Sequence, residues 1–261
     1  MAQGLLVSAM LALPAMALLH GLLSRSEKEA SRPEAQGSFS AKKAFVGLLV
    51  CYMPMFLITF PGSFAYDVPF QLEQVFTGEY STHHPLLHTL LMGLCVKLGH
   101  AIGRINLGAA LYTLIQLTGL AGCFALACAS IARQSESCAA KRSALFFAFY
   151  PLHMMMAVNA TKDVLFAGLF VLTLALLREM IICPNPDGKL LAGVVLCGAG
   201  MLLLRNNALY AMIVWLALAA VVLRRSGIRT GIAELLAIAL SMGLGSVIIG
   251  MVMDAFLSDR G

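Results

Sequence analysis

A polar interruption between two long apolar segments organises this sequence. It reads GSFAYDVPFQLEQ at residues 62–74 and runs on to YSTHHP at residues 80–85. Its acidic residues and histidines can exchange protons, accept hydrogen bonds or bind a metal. They are Asp67, Glu73, Glu79, His83 and His84. The flanking segments are mostly apolar, so we interpret the rest of the chain as a scaffold that holds this loop at one face of a membrane.

Composition sets the fold class. Of the 261 residues, 60% are hydrophobic and only 12% are charged, whereas about 25% of residues are charged in typical soluble domains. The apolar residues form continuous blocks of roughly 15–25, the length that crosses a hydrocarbon core of about 30 Å. A membrane β-barrel would instead show alternating segments of about ten residues. The sequence therefore predicts an all-α polytopic protein of the cell membrane.

Charge and cysteine usage exclude two other classes of protein. The net charge is +5, but the basic residues lie at the ends of apolar segments, where they set orientation in the membrane. We therefore expect no nucleic-acid partner. The seven cysteines include no C-x-x-C pair, and most lie in apolar runs. This pattern favours buried structural thiols over a zinc site or a disulfide framework.

The apolar segments predict about eight membrane spans. The first span and a basic cytoplasmic loop form an additional N-terminal unit at residues 1–43, and residues 44–261 form the core. The predicted spans are 4–23, 44–60, 107–131, 143–158, 164–182, 190–204, 208–223 and 231–253.

Segment 86–103 is predicted to lie in the membrane interface instead of crossing it. On a helical wheel, Thr89, Gly93, Lys97, His100 and Arg104 share one face, which is typical of an interfacial amphipathic helix. With this arrangement, twelve of the 18 Lys and Arg residues fall in cytoplasmic loops, Arg178 lies near the same face, and only five fall outside. Three polar clusters, 62–85, 159–163 and 205–207, then share the outer face.

The first of these clusters supplies a candidate base and candidate metal ligands. Asp67 is either a solvated charge or a general base near the membrane surface. His83 and His84 precede Pro85, so they either form a turn before a helix or provide one ligand for a divalent metal ion. Asp67 and His84 are the candidate metal ligands.

The other two clusters supply two cations. Lys162 and Arg205 suggest a site for a phosphate-bearing lipid, because an arginine at the bilayer edge is costly without an anion. Asp163 is expected either to orient Lys162 or to begin the following helix. Asn206 belongs to a tight turn between two spans.

The order of these motifs resembles the GT-C superfamily of membrane glycosyltransferases, and within it a group of uncharacterised bacterial relatives. The resemblance covers about residues 44–225. It is carried by Pro61-Gly62, Asp67, Gln71, His83-His84-Pro85-Leu86, Thr161-Lys162-Asp163 and Arg205-Asn206-Asn207. Relatives usually have more helices, so the chain is either a minimal form or a truncated one.

The resemblance implies an inverting transfer of sugar from a polyprenyl-phosphate donor to a hydroxyl of a cell-envelope acceptor. Asp67, in an outer catalytic loop at 62–106, would act as the base or position the acceptor. Asp163 would be the second outer-loop acid. The residues that would contact substrate are Gln71, His83, His84, Lys162, Asp163, Arg205 and Asn206. Two other functions stay open: a membrane transporter or lipid flippase, and a non-catalytic membrane subunit.

Overall fold

The computed structural model describes residues 39–81, 85–134, 137–182, 187–205, 207–226 and 228–257. The predicted first span, His83, His84 and Asn206 lie outside these residues. Ten helices and two short strands occur within them. In chain order they are α1 Ala41–Ile58, β1 Ser63–Phe64, α2 Val68–Thr77, α3 Leu86–Ala101, α4 Ile105–Gln134, α5 Ser137–Phe149, α6 Pro151–Ala157, β2 Asn159–Ala160, α7 Lys162–Ile182, α8 Gly188–Leu204, α9 Ala208–Ser226 and α10 Ile228–Leu257.

The described residues include four helices that are long and apolar enough to cross a membrane. These are α1, α4, α7 and the Gly231–Phe256 part of α10. Three shorter apolar helices accompany them: Leu86–Ala101, Gly188–Leu204 and Ala208–Ala217. An all-α membrane protein is thus confirmed in its coarse form, and the number of eight spans stays a prediction.

The predicted span at 143–158 is not one continuous helix, because the helix breaks at Tyr150. Helix α5 ends at Phe149, and α6 begins at Pro151. Proline has no amide hydrogen and fits the first turn of a helix, so it starts a new helix here instead of continuing the old one. The predicted loop around Lys141 and Arg142 lies within α5.

The predicted outer loop is more ordered than the sequence suggested. Ser63 and Phe64 pair in parallel with Asn159 and Ala160, so the predicted polar turn at 159–163 is instead a short strand followed by the start of α7. Helix α2 follows β1, ends at Thr77 and is capped by Gly78, whose φ of 75° suits glycine. The strand pair joins two segments that are distant in sequence.

Helix α3 packs closely against α4, which corrects part of the predicted amphipathic wheel. A Cβ on Gly99 would lie 2.6 Å from the backbone nitrogen of Gly108, so the two backbones are in near contact. Thr89 and Gly93, predicted on the polar face, are buried by neighbouring helices, whereas Leu94 is 59% exposed. Small residues allow this approach, and hydrophobicity alone does not reveal it.

The packed interior contains three clusters of buried side chains. The largest joins α4, α7, α8, α9 and α10, and the second joins α1, α4, α5, α6 and α7. The third cluster lies beneath the segment that joins α1 to α3 and consists of Val68, Met92, Cys95, Val96, Tyr112 and Ala160. It anchors α2 and β2 to α3 and α4, and so fixes the backbone that carries Asp67 and Lys162.

Candidate functional site

An ion pair between Asp67 and Lys162 lies where the two strands meet. The Lys162 Nζ atom donates to Asp67 Oδ2 at 2.9 Å, and the two side chains are 19% and 23% exposed. Asp67 immediately precedes α2, and Lys162 opens α7. The strand pairing places these positions together, because Ala65 and Ala160 are linked by a backbone hydrogen bond of 3.2 Å.

A second ion pair extends the first along the same end of the bundle. Arg205 Nη1 donates to Asp163 Oδ1 at 2.7 Å, and the Arg205 guanidinium carbon lies 5.5 Å from the centre of the Phe166 ring. Asp163 is in the first turn of α7, where a carboxylate suits the helix dipole. The predicted role of Asp163 in starting this helix agrees with its position.

The two pairs form one row of alternating charge. Lys162 and Asp163 are adjacent in sequence, so Asp67, Lys162, Asp163 and Arg205 are linked through two contacts and one peptide bond. The structure therefore brings together residues from all three predicted polar clusters. Each predicted phosphate-binding cation already contacts a carboxylate, so an anionic ligand would compete with that carboxylate.

Gln71 lies beneath the Asp67–Lys162 pair and is buried, with 1% exposure. Neither its side-chain nitrogen nor its side-chain oxygen has a hydrogen-bond partner among the described residues. It lines a narrow crevice with Asp67, Thr161 and Lys162. An unsatisfied buried amide costs about 1–3 kcal/mol, so this carboxamide retains unused hydrogen-bonding capacity beside the ion pair, in a space too small to hold a water molecule.

A buried polar network holds the backbone that carries the ion pairs. The sequence analysis did not predict this network. His88 Nε2 lies 2.6 Å from the Tyr112 hydroxyl, which donates to Gln116 Oε1 at 3.1 Å. Gln116 donates to the carbonyls of Ala157 and Asn159 at 3.1 and 2.8 Å. The amide of Thr161 donates back to Gln116 at 3.3 Å. This network ties β2 and the start of α7 to α4.

A signal for this network exists in the sequence. Tyr112 and Gln116 are four residues apart in an uncharged span, so they share one helix face. Polar side chains in such a span usually face the protein interior. The chain around Gly62 is held in a similar way, because Thr113, beside Tyr112, donates to the Pro61 carbonyl at 2.9 Å.

A match to a protein family covers most of this arrangement. The match spans residues 77–254 of the 261. The chain belongs to DUF6020, a family of unknown function. The DUF6020 region contains Lys162, Asp163 and Arg205 and begins after Asp67 and Gln71. No curated protein and no solved structure matches the chain.

The predicted metal site is only partly described. The described part of this DUF6020 protein holds no cluster of three or more His, Cys, Asp or Glu residues suited to a metal ion. His83 and His84 lie outside that part, so a metal held by Asp67 and His84 stays a prediction.

A separate charged cluster joins α4 and α7 at the opposite end of the DUF6020 bundle. Arg133 binds Glu179 through two nitrogens, at 2.6 and 2.7 Å. Ser130 donates to the same carboxylate at 2.6 Å, and Arg178 donates to Gln134. Because these side chains satisfy one another's hydrogen-bonding groups, the cluster has a structural role and holds α4 and α7 together.

Proposed function

We propose that this DUF6020 protein is an integral membrane glycosyltransferase that moves a sugar from a polyprenyl-phosphate donor to an acceptor hydroxyl. The observation that carries the proposal is the convergence of Asp67, Lys162, Asp163 and Arg205 at one end of an apolar helical bundle. A carboxylate beside two cations is a suitable set for removing a proton from a hydroxyl while a phosphate leaves.

The proposed reaction is a single displacement. Asp67 takes the proton of the acceptor hydroxyl as the hydroxyl oxygen attacks the anomeric carbon. The bond from that carbon to the donor phosphate oxygen breaks, and polyprenyl phosphate leaves from the opposite face. The configuration at the anomeric carbon is inverted. Lys162 and Arg205 stabilise the negative charge that develops on the leaving phosphate.

Lys162 and Arg205 each contact a carboxylate of this chain. The donor phosphate would draw Lys162 away from Asp67, which strengthens the basicity of the carboxylate at the moment when the donor is in place. It would likewise share Arg205 with Asp163. The buried carboxamide of Gln71 lies beside the Asp67 carboxylate and is suited to hold a sugar or acceptor hydroxyl as the crevice opens.

Exchange of the two charges tests whether Asp67 is the base or only half of an ion pair. The double variant Asp67→Lys with Lys162→Asp retains opposite charges at the same two positions. We expect it to recover much of the thermal stability lost by each single variant but to transfer no sugar. Transfer by the exchanged variant at the rate of the unaltered protein would show that Asp67 does not act as the base.

The assay is transfer from a panel of polyprenyl-phosphate sugars to hydroxyl acceptors in proteoliposomes. Asp67→Asn should reduce the transfer rate by about 10²–10⁴, the usual loss for a general base. Glu73→Gln is the matched control, because Glu73 is exposed on α2 and has no proposed proton to remove. No transfer from any donor by the unaltered protein would contradict the proposal.

One observation favours transport as a second candidate function. Glu234 lies in the apolar span Gly231–Phe256, is 3% exposed, and its Oε1 atom has no hydrogen-bond partner among the described residues. Ionisable groups inside membrane spans often mark an ion or substrate path. Solute or lipid movement that requires Glu234 but not Asp67, without sugar transfer, would establish transport instead. Absence of both activities would favour a non-catalytic subunit.

A further inference from the structure

An apolar groove of about 550 Å³ lies between α1 and α5, away from the site described above. One face of each helix lines it. Lys43 and Lys141 lie near the beginnings of α1 and α5. Both lysines are exposed, and neither forms an ion pair with another described residue. The groove therefore has a positively charged end at the two lysines. The rest of it is apolar, and we call this part the trough.

The shape of the groove follows from small residues on both helices. Ala44 and Gly47 face it from α1, and Ala144 and Ala148 face it from α5. A Cβ on Gly47 would meet no atom within 4 Å. Beyond the small residues, the Tyr52 hydroxyl donates to the Phe147 carbonyl at 2.8 Å and joins the two helices.

The direction of the two helices places both lysines at one level of the membrane. Lys43 and Lys141 line the same groove, and Tyr52 contacts Phe147 farther along each helix, so α1 and α5 run in the same direction. Helix α1 is a candidate span, and its lysine end is the end that the basic residues assign to the cytoplasmic face. From Lys43 to Cys51 the trough extends about 12 Å along the helix.

We infer that this groove binds an anionic phospholipid of the cytoplasmic leaflet. Its phosphate would contact Lys43 and Lys141, and one acyl chain would lie in the trough over Gly47. An acyl chain fits because the trough is apolar and opens within a membrane span. An anionic headgroup fits because it would meet two lysines that form no ion pair within the described part of the chain, and each basic residue near an anionic leaflet strengthens binding by about fivefold. The inference is independent of the proposed transferase activity.

Native mass spectrometry of the full chain in detergent tests the inference. Phosphatidylglycerol and phosphatidylcholine with the same acyl chains are added in turn. We expect preferential retention of phosphatidylglycerol. The double variant Lys43→Gln with Lys141→Gln should weaken that binding by roughly thirtyfold. Lys97→Gln with Lys189→Gln removes the same charge elsewhere and should leave binding unchanged.

A second variant tests the apolar part of the groove without altering charge. Gly47→Leu places a side chain in the trough and should reduce retention of both lipids. Equal retention of the two lipids by the unaltered protein, or equal losses in the two double-lysine variants, would overturn the inference. A photo-crosslinking residue at Leu145 that attaches to residues 1–38 instead of lipid would assign the groove to the N-terminal segment and would also overturn it.

Discussion

Replacement of Gln116 by methionine should destabilise the protein strongly, although methionine has a similar length and helix propensity. The Gln116 side chain makes four hydrogen bonds in a buried position, to Tyr112, Ala157, Asn159 and Thr161. A net hydrogen bond contributes about 0.5–1.5 kcal/mol, and the long ones contribute least. The expected loss in the free energy of unfolding is therefore about 3 kcal/mol.

Thermal unfolding in detergent measures this loss. The single tryptophan, Trp215, is 7% exposed and reports the unfolding of the helical bundle by its fluorescence. For a chain of this size, 1 kcal/mol shifts Tm by about 2–4 °C, so Gln116→Met should lower Tm by roughly 6–12 °C. Its backbone partners are left without hydrogen bonds, which makes recovery by local repacking difficult.

Gln74→Met is the matched control for the same substitution. Gln74, on α2, exchanges two hydrogen bonds with Ser81, at 3.3 and 3.2 Å, in an exposed setting. Water can replace these bonds, so Tm should fall by about 2 °C or less. A Gln116→Met shift no larger than that of Gln74→Met would refute the view that the buried network holds β2 in place.

Three further predictions address packing, phosphate recognition and topology. Gly108→Ala should lower Tm in the same assay, because its Cβ would collide with the Cys95 carbonyl, whereas Gly47→Ala should not, because open space surrounds that position. Arg205→Lys should retain only part of the affinity for a polyprenyl-phosphate donor in a lipid-binding assay, since lysine lacks the planar fork of arginine; unchanged affinity would remove this residue from the site. Cysteines introduced at Ser81 and Ser137 should react with an impermeant thiol reagent from opposite sides of the membrane, and labelling of both from one side would contradict the interfacial assignment of segment 86–103.

The convergence of the three polar clusters could be predicted from the sequence, because membrane topology can be inferred by counting Lys and Arg residues in alternate loops. The imbalance of Lys and Arg between alternate loops placed Asp67, Lys162 and Arg205 on one face, and the structure brings these three residues to one end of the bundle. The type of contact was not predicted. Lys162 and Arg205 were assigned to a phosphate, whereas in the structure both contact carboxylates of this chain.

The supporting architecture could not be obtained from hydrophobicity, because it depends on pairings between distant segments. Nothing local marks Ser63 and Asn159 as strand partners. In the sequence, Gln116 is one polar residue within a long uncharged span. Its four hydrogen bonds depend on how α4 and β2 pack together, which the sequence does not reveal. The break at Tyr150 was foreseeable from Pro151, but the length of the apolar segment outweighed it.

The short parallel strand pair has a consequence for biosynthesis. Ser63 and Asn159 lie 96 residues apart, and ribosomes add about 5–20 residues per second. The Asp67 segment therefore emerges roughly 5–20 s before its partner strand. During that interval the translocation machinery handles an acidic loop whose lysine has not yet been made. The arrival of residues 159–162 then completes both the strand pair and the ion pair, so a nascent chain arrested upstream of them carries only one half of the site.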